Sequence, residues 1–279
     1  MYIQQHELEQ LKKLLRRLTS LDLSLYKDRF IKRRIAIRMN SLGFQSFYEY
    51  LEYVRRNPNE VYNLFDNLTI NVSFFFRDPM VWSTTYRKVL KPLTEYKSSR
   101  SSRSIRIWSA GCARGEEPYS ISILLHEALG SELGGFTITI FATDIDPKAL
   151  EQAKKGEYTP QALDNVPRMW LRKYFVYDPV RGVYKIKSHV KRIVKFMLHD
   201  VVNDPPLSQI DIIFCRYLLI YLARDMQQKA LMNFLKALRE GGYLILGSAE
   251  FLPEEMHRYF EVIDLKARIY RKRTIGKYL

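Results

Sequence analysis

The sequence predicts an α/β protein in which a doubly wound, mostly parallel sheet follows an all-helical N-terminal domain. Through the first 70 residues apolar side chains recur at helical spacing, and no strand pattern precedes residue 100. From residue 105 onward, short β-branched runs alternate with stretches that suit amphipathic helices. Such alternation is typical of a parallel sheet with helices on both faces.

The helical domain is predicted to span residues 1–75. Its first helix carries the apolar stripe Leu8, Leu11, Leu14, Leu15 and Leu18, and its second, after a break at Thr19-Ser20, carries Ile31, Ile35, Met39 and Leu42. Gly43 is a stop signal, and two further helices are predicted over 46–56 and 60–68. Ten Lys or Arg and two Asp lie between Gln10 and Asn40, so positive charge concentrates on this domain.

An interdomain segment is predicted over 76–104, and its last eight residues, K-S-S-R-S-S-R-S, indicate a linker or mobile loop. The sheet domain is predicted to span residues 105–279. Its strands are predicted at 105–109, 137–143, 193–197, 210–215 and 243–246, with a terminal antiparallel pair at 260–263 and 267–270, and its helices at 117–129, 147–155 and 224–238. The runs 175–177 and 183–186 predict a hairpin within a small β-subdomain at about 173–193.

Composition limits the function classes. Lys and Arg number 45 against 30 Asp and Glu, a net charge of +15 that predicts attraction to nucleic acid, anionic lipid or an acidic protein surface. Two cysteines are too few for a disulfide scaffold, and five scattered histidines show no metal-ligand spacing, so we expect no metal. With neither a signal-peptide pattern nor ~20 uninterrupted apolar residues, a soluble cytoplasmic protein is expected.

A ligand is expected at the carboxyl ends of the strands, where the first strand leads into S-A-G-C-A-R-G-E-E-P-Y-S. Gly111 and Gly115 let the backbone approach a ligand closely, although a tight turn explains them about equally well. Glu116 and Glu117 follow, where a phosphate site would need backbone donors or a lysine. The two carboxylates could merely offset the helix dipole. As ligand groups, they favour an adenosine compound that carries an amine and a sulfonium charge.

Acidic residues also end the neighbouring strands. Asp144 is the candidate for binding ribose hydroxyls, and Asp146, directly before Pro147, is better placed to cap the next helix. Asp200 could reach an adenine amino group, or it could simply belong to a surface turn. In the upstream cluster N-V-S-F-F-F-R-D-P, Arg77 could hold a carboxylate. Arg216 and Tyr221 lie at and beyond a buried strand end, where structural roles are the commoner explanation.

Five segments together resemble the chemotaxis receptor methyltransferases, the CheR proteins. They are NVSFFFRDP, IWSAGCARGEEPYS, FATDID, ALEQAKKGEY and IDIIFCRYLLIYL, and the resemblance extends from about residue 10 to residue 272. It implies a class I, Rossmann-like domain dependent on S-adenosylmethionine, with a small β-hairpin insertion and a helical N-terminal domain. It also implies methyl transfer to glutamate side chains on the cytoplasmic helical region of chemoreceptors.

The resemblance assigns roles residue by residue. It implies cofactor contacts from Asn71, Ser73, Arg77, Gly111, Glu116, Asp144, Asp200, Val201, Arg216 and Tyr217. Arg77 and Tyr221 are the candidates for orienting the acceptor carboxylate at the methyl-transfer site. The basic residues Arg29, Lys32, Arg33 and Arg38 are the candidates for contacting the acidic receptor helices; a merely solvated basic face is the alternative.

The sequence departs from the family pattern in three places. Tyr217 stands where the family usually has Asn after the strand-end Arg, and Ala113-Arg114 stand where it usually has Ser-Thr. The hairpin over 175–186 lacks the glycine-rich loop of members that dock on a receptor pentapeptide, so we expect no pentapeptide tether. We also expect a monomer that neither inserts into membranes nor binds nucleic acid.

Two rival functions remain. A nucleic-acid methyltransferase would use the same fold and positive charge, but no Asn-Pro-Pro-Tyr/Phe or paired-cysteine signature accompanies the site. A cofactor-binding regulatory module without turnover is the second rival, and Tyr217 is its best support.

Overall fold

The computed structural model describes residues 3–18, 23–68, 71–100 and 103–274; the predicted break at Thr19-Ser20 lies outside them. The chain divides into two compact units, Met1–Ile70 with Tyr221–Gln227, and Asn71–Ile220 with Gln228–Leu279. Within the described ranges, no helix is long and apolar enough to cross a membrane.

In the part of the first unit that the structure describes there are four α-helices: α1 (Gln5–Leu18), α2 (Asp28–Leu42), α3 (Phe47–Arg56) and α4 (Asn59–Leu68). Most of the residues in the predicted apolar stripes are buried in one core with Tyr50, Val54 and Leu64. Gly43 ends α2 in the left-handed conformation, with φ of 81°, as its stop signal predicts. Burial of these stripes explains why the described part of this unit consists mainly of helices.

Arg38 is expected to lie on a substrate-binding surface, but its guanidinium binds a carboxylate of the same unit. Its Nε and Nη2 donate to the two carboxylate oxygens of Glu60 at 2.7 and 2.6 Å, and the hydroxyl of Tyr50 donates to the same carboxylate at 3.0 Å. Glu60 is 1% exposed, and although burial alone would raise its pKa, these bonds hold that pKa below its ordinary value. Arg38 therefore stabilises the helical unit, whereas Arg29 and Arg33 are exposed on α2.

Over its described residues, the second unit contains ten strands. They are β1 (Ser104–Ala110), β2 (Thr137–Asp144), β3 (Glu157–Tyr158), β4 (Phe175–Asp178), β5 (Val183–Ile186), β6 (Val194–Leu198), β7 (Ile210–Cys215), β8 (Leu238–Leu246), β9 (Phe260–Asp264) and β10 (Ile269–Lys272). Seven form one sheet in the order β6-β2-β1-β7-β8-β10-β9, in which only the β8-β10 and β10-β9 pairings are antiparallel. The predicted hairpin, β4-β5, pairs with β3 in a separate small sheet.

The α-helices described within this unit are α5 (Pro79–Thr85), α6 (Lys91–Ser98), α7 (Glu116–Leu129), α8 (Pro147–Lys155), α9 (Arg168–Tyr174) and α10 (Ser188–Lys191). A further helix, α11 (Arg224–Ala237), begins in the segment Tyr221–Gln227 of the first unit. A π-helical turn, Tyr86–Leu90, joins α5 to α6. β7 is buried along its whole length, as a central parallel strand should be. The carboxyl ends of β6, β2, β1, β7 and β8 therefore lie along one edge of the sheet.

The predicted linker is partly wrong. Lys97 and Ser98 end α6, and residues 101–102 of the predicted linker lie outside the described ranges. Lys97 is 6% exposed; its Nζ donates to the carbonyl of Ser104 at 2.8 Å and lies 3.0 Å from the carboxylate of Asp211. A buried ion pair fixes a segment whose local composition indicates a mobile loop.

Candidate active site

The loop between β1 and α7 is fastened to the end of β2. The N–H groups of Gly111 and Cys112 both donate to the carbonyl of Thr143 at 2.9 Å, and the N–H of Ala113 donates to the carboxylate of Asp144 at 2.8 Å. Gly111 has φ of +77°, and a Cβ there would lie 3.2 Å from the Leu218 side chain. Only glycine suits this conformation and approach without strain.

Asp144 stands at the end of β2, as predicted for a ribose ligand. Its second carboxylate oxygen accepts from the N–H of Asp146 at 3.0 Å, and burial raises the pKa of Asp144. The carboxylate of Asp146 caps α8, accepting from the N–H groups of Lys148 and Ala149 at 2.9 and 3.1 Å, which confirms its predicted role. The side-chain amide of Asn71 also donates to Asp146, at 2.7 Å, so Asn71 lies at this edge of the sheet.

Glu116, the first residue of α7, is only 3% exposed. The Ser73 side chain hydrogen-bonds to it, yet among the described residues Oε2 has no hydrogen-bond partner. Burial raises the pKa of Glu116 to about 7. Beside it lies a cavity of about 210 Å³, also lined by Arg114, Lys155 and Tyr158. A buried carboxylate oxygen without a donor suits the ammonium group of a bound ligand.

Arg77 is a guanidinium without an ion-pair partner anywhere in the described part of the chain. Its Nη1 donates to the carbonyl of Val72 at 3.0 Å, and its Cζ lies 3.4 Å from the ring centroid of Tyr217. Both residues flanking Arg77 have positive φ, 52° at Phe76 and 59° at Asp78. Such backbone conformations are energetically costly for residues other than glycine, and they cluster at functional sites.

Arg216 hydrogen-bonds to the chain segment that contains Arg77 and Asp78. Its side chain is 3% exposed, and Nη2 donates to the carbonyl of Arg77 at 2.8 Å and to the carboxylate of Asp78 at 2.6 Å. Its Nη1 lies 3.5 Å from the carboxylate of Glu117, which also accepts from the hydroxyl of Ser109 at 2.8 Å. Arg216 thus joins the ends of β1 and β7 to the segment that carries Arg77.

Glu250 lies at the same site, although no sequence motif indicates it. It is 3% exposed and accepts four backbone N–H groups at 2.7–2.9 Å, those of Gly247, Tyr217, Leu218 and Leu219. Burial raises its pKa, although the four donors act in the opposite direction. The only signal was a carboxylate shortly after the end of β8, at the same sheet edge as Asp144.

Three predicted residues make contacts within the chain that do not by themselves show their predicted roles: Asp200 and Val201, which follow the end of β6, and Tyr221. The carboxylate of Asp200 accepts from the N–H groups of Val202 and Asn203 at 2.8 and 3.3 Å, so it closes a turn after β6, with Val201 buried beside it. The turn matches the alternative interpretation, and the adenine contact stays a prediction. Tyr221 belongs to the helical unit, where its ring centroid lies 4.8 Å from that of Phe30. Its catalytic role also stays a prediction.

A larger cavity of about 580 Å³ in the second unit includes none of the predicted site residues. Its walls are mostly aromatic and apolar, and include Phe76, Trp82, Tyr86 and Trp170. Glu116, Asp144 and Arg77 lie instead at the sheet edge described above, and we take that edge as the candidate active site.

The sheet order, the glycine loop after the first strand and the acidic residue ending the second define the class I S-adenosylmethionine-dependent methyltransferase fold. Residues 71–269 match the family described as CheR methyltransferase, SAM binding domain, and residues 6–69 match the CheR methyltransferase, all-alpha domain. The chain belongs to the CheR methyltransferase family. The predicted fold class and family are therefore confirmed.

Its relatives include proteins named for chemotaxis. The "Chemotaxis protein methyltransferase" of Listeria innocua is 31% identical, covering 82% of this chain and 84% of that protein. The "Putative methyltransferase Cher3" of Pseudomonas putida is 34% identical, covering 91% and 92%. An uncharacterized 104.1 kDa protein of Rhodobacter capsulatus is 32% identical over 88% of this chain, which spans only 25% of that protein. The solved N-methyltransferase NodS from Bradyrhizobium japonicum is 16% identical, with 58% and 61% covered and a TM-score of 0.31.

Proposed function

We propose that this chain transfers the methyl group of S-adenosylmethionine to glutamate side chains on the cytoplasmic helical region of chemoreceptors, acting as a cytoplasmic monomer. Family membership and the relatives named chemotaxis protein methyltransferase support the reaction class. The observation that carries the choice of acceptor is Arg77, a guanidinium at the sheet edge that no described carboxylate neutralises. It is free to take a carboxylate from outside the chain.

The residues present fit the cofactor. The orphaned oxygen of Glu116 would accept from the amino group, and Asp144 would bind the ribose hydroxyls. Asp200 with Val201 would lie by the adenine, and Asn71 and Ser73 would complete the contacts from the segment before Arg77. When bound, S-adenosylmethionine supplies a methyl group on a positively charged sulfur.

The acceptor needs no general base. A glutamate with a pKa of ~4.3 is already ionised near neutrality, so the chain has only to align the carboxylate and exclude water. Alignment of this kind supplies at most ~7–11 kcal/mol. Arg77 orients the anion without binding it too tightly, because a strongly stabilised ground state would react more slowly. Tyr221 is the second residue proposed to orient the acceptor.

Receptor recognition is proposed for the basic surface of α2. Arg29 and Arg33 are exposed and Lys32 is partly exposed, and complementary charge would speed and orient the encounter with helices rich in glutamate. Arg38 is left out of this surface because its guanidinium is occupied by Glu60.

The β4-β5 turn supports the proposal that no pentapeptide tether is used. The carboxylate of Asp178 accepts from the N–H groups of Val180 and Arg181 at 3.2 Å and pairs with Lys185 at 3.0 Å. Arg181 in turn pairs with Glu157 at 2.7 Å. The turn is short and held by its own charges, without the glycine-rich loop of tethering members.

The test is methyl transfer from labelled S-adenosylmethionine to purified receptor cytoplasmic fragments. We expect label that base releases, as from a glutamyl methyl ester, and no label on fragments whose acceptor glutamates are replaced by glutamine. RNA is offered in parallel, and label on RNA alone would establish the nucleic-acid alternative. Binding of S-adenosylhomocysteine without transfer to either would establish the regulatory alternative.

A charge-reversed variant tests the receptor surface. Replacing Arg29, Lys32 and Arg33 together by Glu should lower kcat/KM for the receptor at least tenfold at low salt and leave S-adenosylhomocysteine binding unchanged. The matched control makes the same net charge change in the other unit by reversing Lys229, Lys236 and Arg258, which are exposed there. Equal losses of kcat/KM in both variants would show that the effect comes from the change in net charge and not from the surface of α2.

A further inference from the structure

The ring of Tyr217 lies directly against the guanidinium of Arg77. The distance of 3.4 Å from Cζ to the ring centroid is van der Waals contact, well inside the range of a cation–π interaction. The only hydrogen bond of the guanidinium among the described residues is the one from Nη1 to the carbonyl of Val72. The ring therefore determines the plane in which the remaining N–H donors of Arg77 point.

Tyr217 is itself held independently of Arg77. Its hydroxyl donates to the carboxylate of Asp78 and lies 2.7 Å from the hydroxyl of Ser248, and its N–H donates to Glu250 at 2.8 Å. Its φ of 60° is a left-handed conformation that is unfavourable for a bulky side chain. Such a conformation persists only where surrounding contacts enforce it, and here they aim the ring at Arg77.

These contacts also keep Asp78 away from its neighbour in sequence. Its carboxylate accepts from Arg216 at 2.6 Å and from the hydroxyl of Tyr217, and it forms no ion pair with Arg77. An aromatic face restrains a guanidinium without occupying its N–H donors, whereas a carboxylate would occupy them. The arrangement fixes the cation and leaves it unneutralised.

We propose that Tyr217 is a positioning residue that holds the Arg77 guanidinium toward the acceptor carboxylate. The inference rests on the proposed function, because it is that function which gives Arg77 an acceptor to orient. Tyr217 acts through Arg77, so it is not a catalytic residue.

Two substitutions separate the ring from the hydroxyl. Tyr217→Asn removes the ring but suits the left-handed backbone, so it should fold. We expect its kcat for receptor methylation to fall roughly 3- to 30-fold, the range of a partly desolvated cation–π contact, and to fall by a larger factor than the affinity for S-adenosylhomocysteine. Tyr217→Phe keeps the ring and should retain at least half of the wild-type kcat. Similar losses in both variants would overturn the proposal.

A double-mutant cycle tests whether Tyr217 works through Arg77. In an Arg77→Lys background, the planar group that lies on the ring is gone, so Tyr217→Asn should lower kcat less than twofold further. Additive losses would show that Tyr217 acts by another route. Urea midpoints of all variants control for a merely structural effect.

A spectroscopic readout separates this inference from the proposed function. In protein labelled with ¹⁵N-arginine, the ring current of Tyr217 should shift the Arg77 Nε–H proton upfield, with the resonance assigned by its loss in Arg77→Lys. The shift should persist in Tyr217→Phe and disappear in Tyr217→Asn. If the shift is present but wild type methylates no receptor, the proposed function fails; if methylation occurs without the shift, the positioning role of Tyr217 fails.

Discussion

Glu116 gives the ligand-free protein a pH-dependent stability whose size follows from its burial. The carboxyl is 3% exposed, and burial raises its pKa from 4.5 to about 7, against smaller opposing effects of its own N–H, Arg114 and Ser73. At ~1.4 kcal/mol per unit, the shift amounts to about 3 kcal/mol. Because the folded-state pKa lies above the unfolded one, this contribution is fully present below about pH 4.5 and is lost as the pH rises through about 7.

The substitution Glu116→Gln removes the titration and keeps the shape. Between about pH 5 and pH 8, the free energy of unfolding of the wild type should fall by ~2.5 kcal/mol relative to the variant. The measurement is urea unfolding of both proteins across this range, without ligand. Glu255→Gln, at an exposed position, is the control and should follow the wild type.

The same carboxylate should make cofactor binding depend on pH in the opposite sense. Ionised Glu116 pairs with the ammonium group of the ligand, so the affinity for S-adenosylhomocysteine should rise toward a plateau above about pH 7. In Glu116→Gln, calorimetry should find weaker binding without this rise. Parallel unfolding curves for wild type and variant, together with parallel affinities, would refute the reasoning.

Three further outcomes are expected. Arg38→Ala should destabilise the protein by about 3–5 kcal/mol in urea unfolding because it strands the buried carboxylate of Glu60; a change below 1 kcal/mol with slower receptor methylation would instead assign Arg38 to the receptor. Tyr221→Phe should lower kcat with little change in calorimetric affinity for S-adenosylhomocysteine, and equal losses in both would contradict its orienting role. Receptors with and without a C-terminal pentapeptide should be methylated with kcat/KM values within twofold of each other, and a large preference for the longer receptor would restore the tether.

Much of the sheet and its ligand edge could be predicted because the signals are local. The strand at 210–215 is an unbroken apolar run, and the helix at 147–155 is bounded by an Asp-Pro start and a Gly stop. Gly111 and Asp144 follow the ends of two such strands, so their meeting at one edge follows from the parallel topology. In these cases the local sequence pattern is enough to predict where the residue lies in the folded structure.

The remaining features depend on partners far away in the sequence. Lys97 stands in a serine-rich run whose composition indicates a loop, but its ammonium group is buried against Asp211. Arg38 has the same local character as Arg33, and only Glu60, on another helix, distinguishes them. No sequence motif surrounds Glu250. Its carboxylate accepts N–H groups from a loop about 30 residues earlier in the chain, and nothing in the local sequence predicts that the two segments meet.

Glu250 also bears on any attempt to redesign this enzyme for a new acceptor. The loop after β7 is the obvious region to diversify, since it presents Tyr217 to Arg77. Yet one carboxylate gathers three consecutive N–H groups of that loop and one from the turn after β8. A library that randomises the loop while preserving Glu250 would keep the backbone in place and vary only the side chains, whereas altering Glu250 would release both segments together.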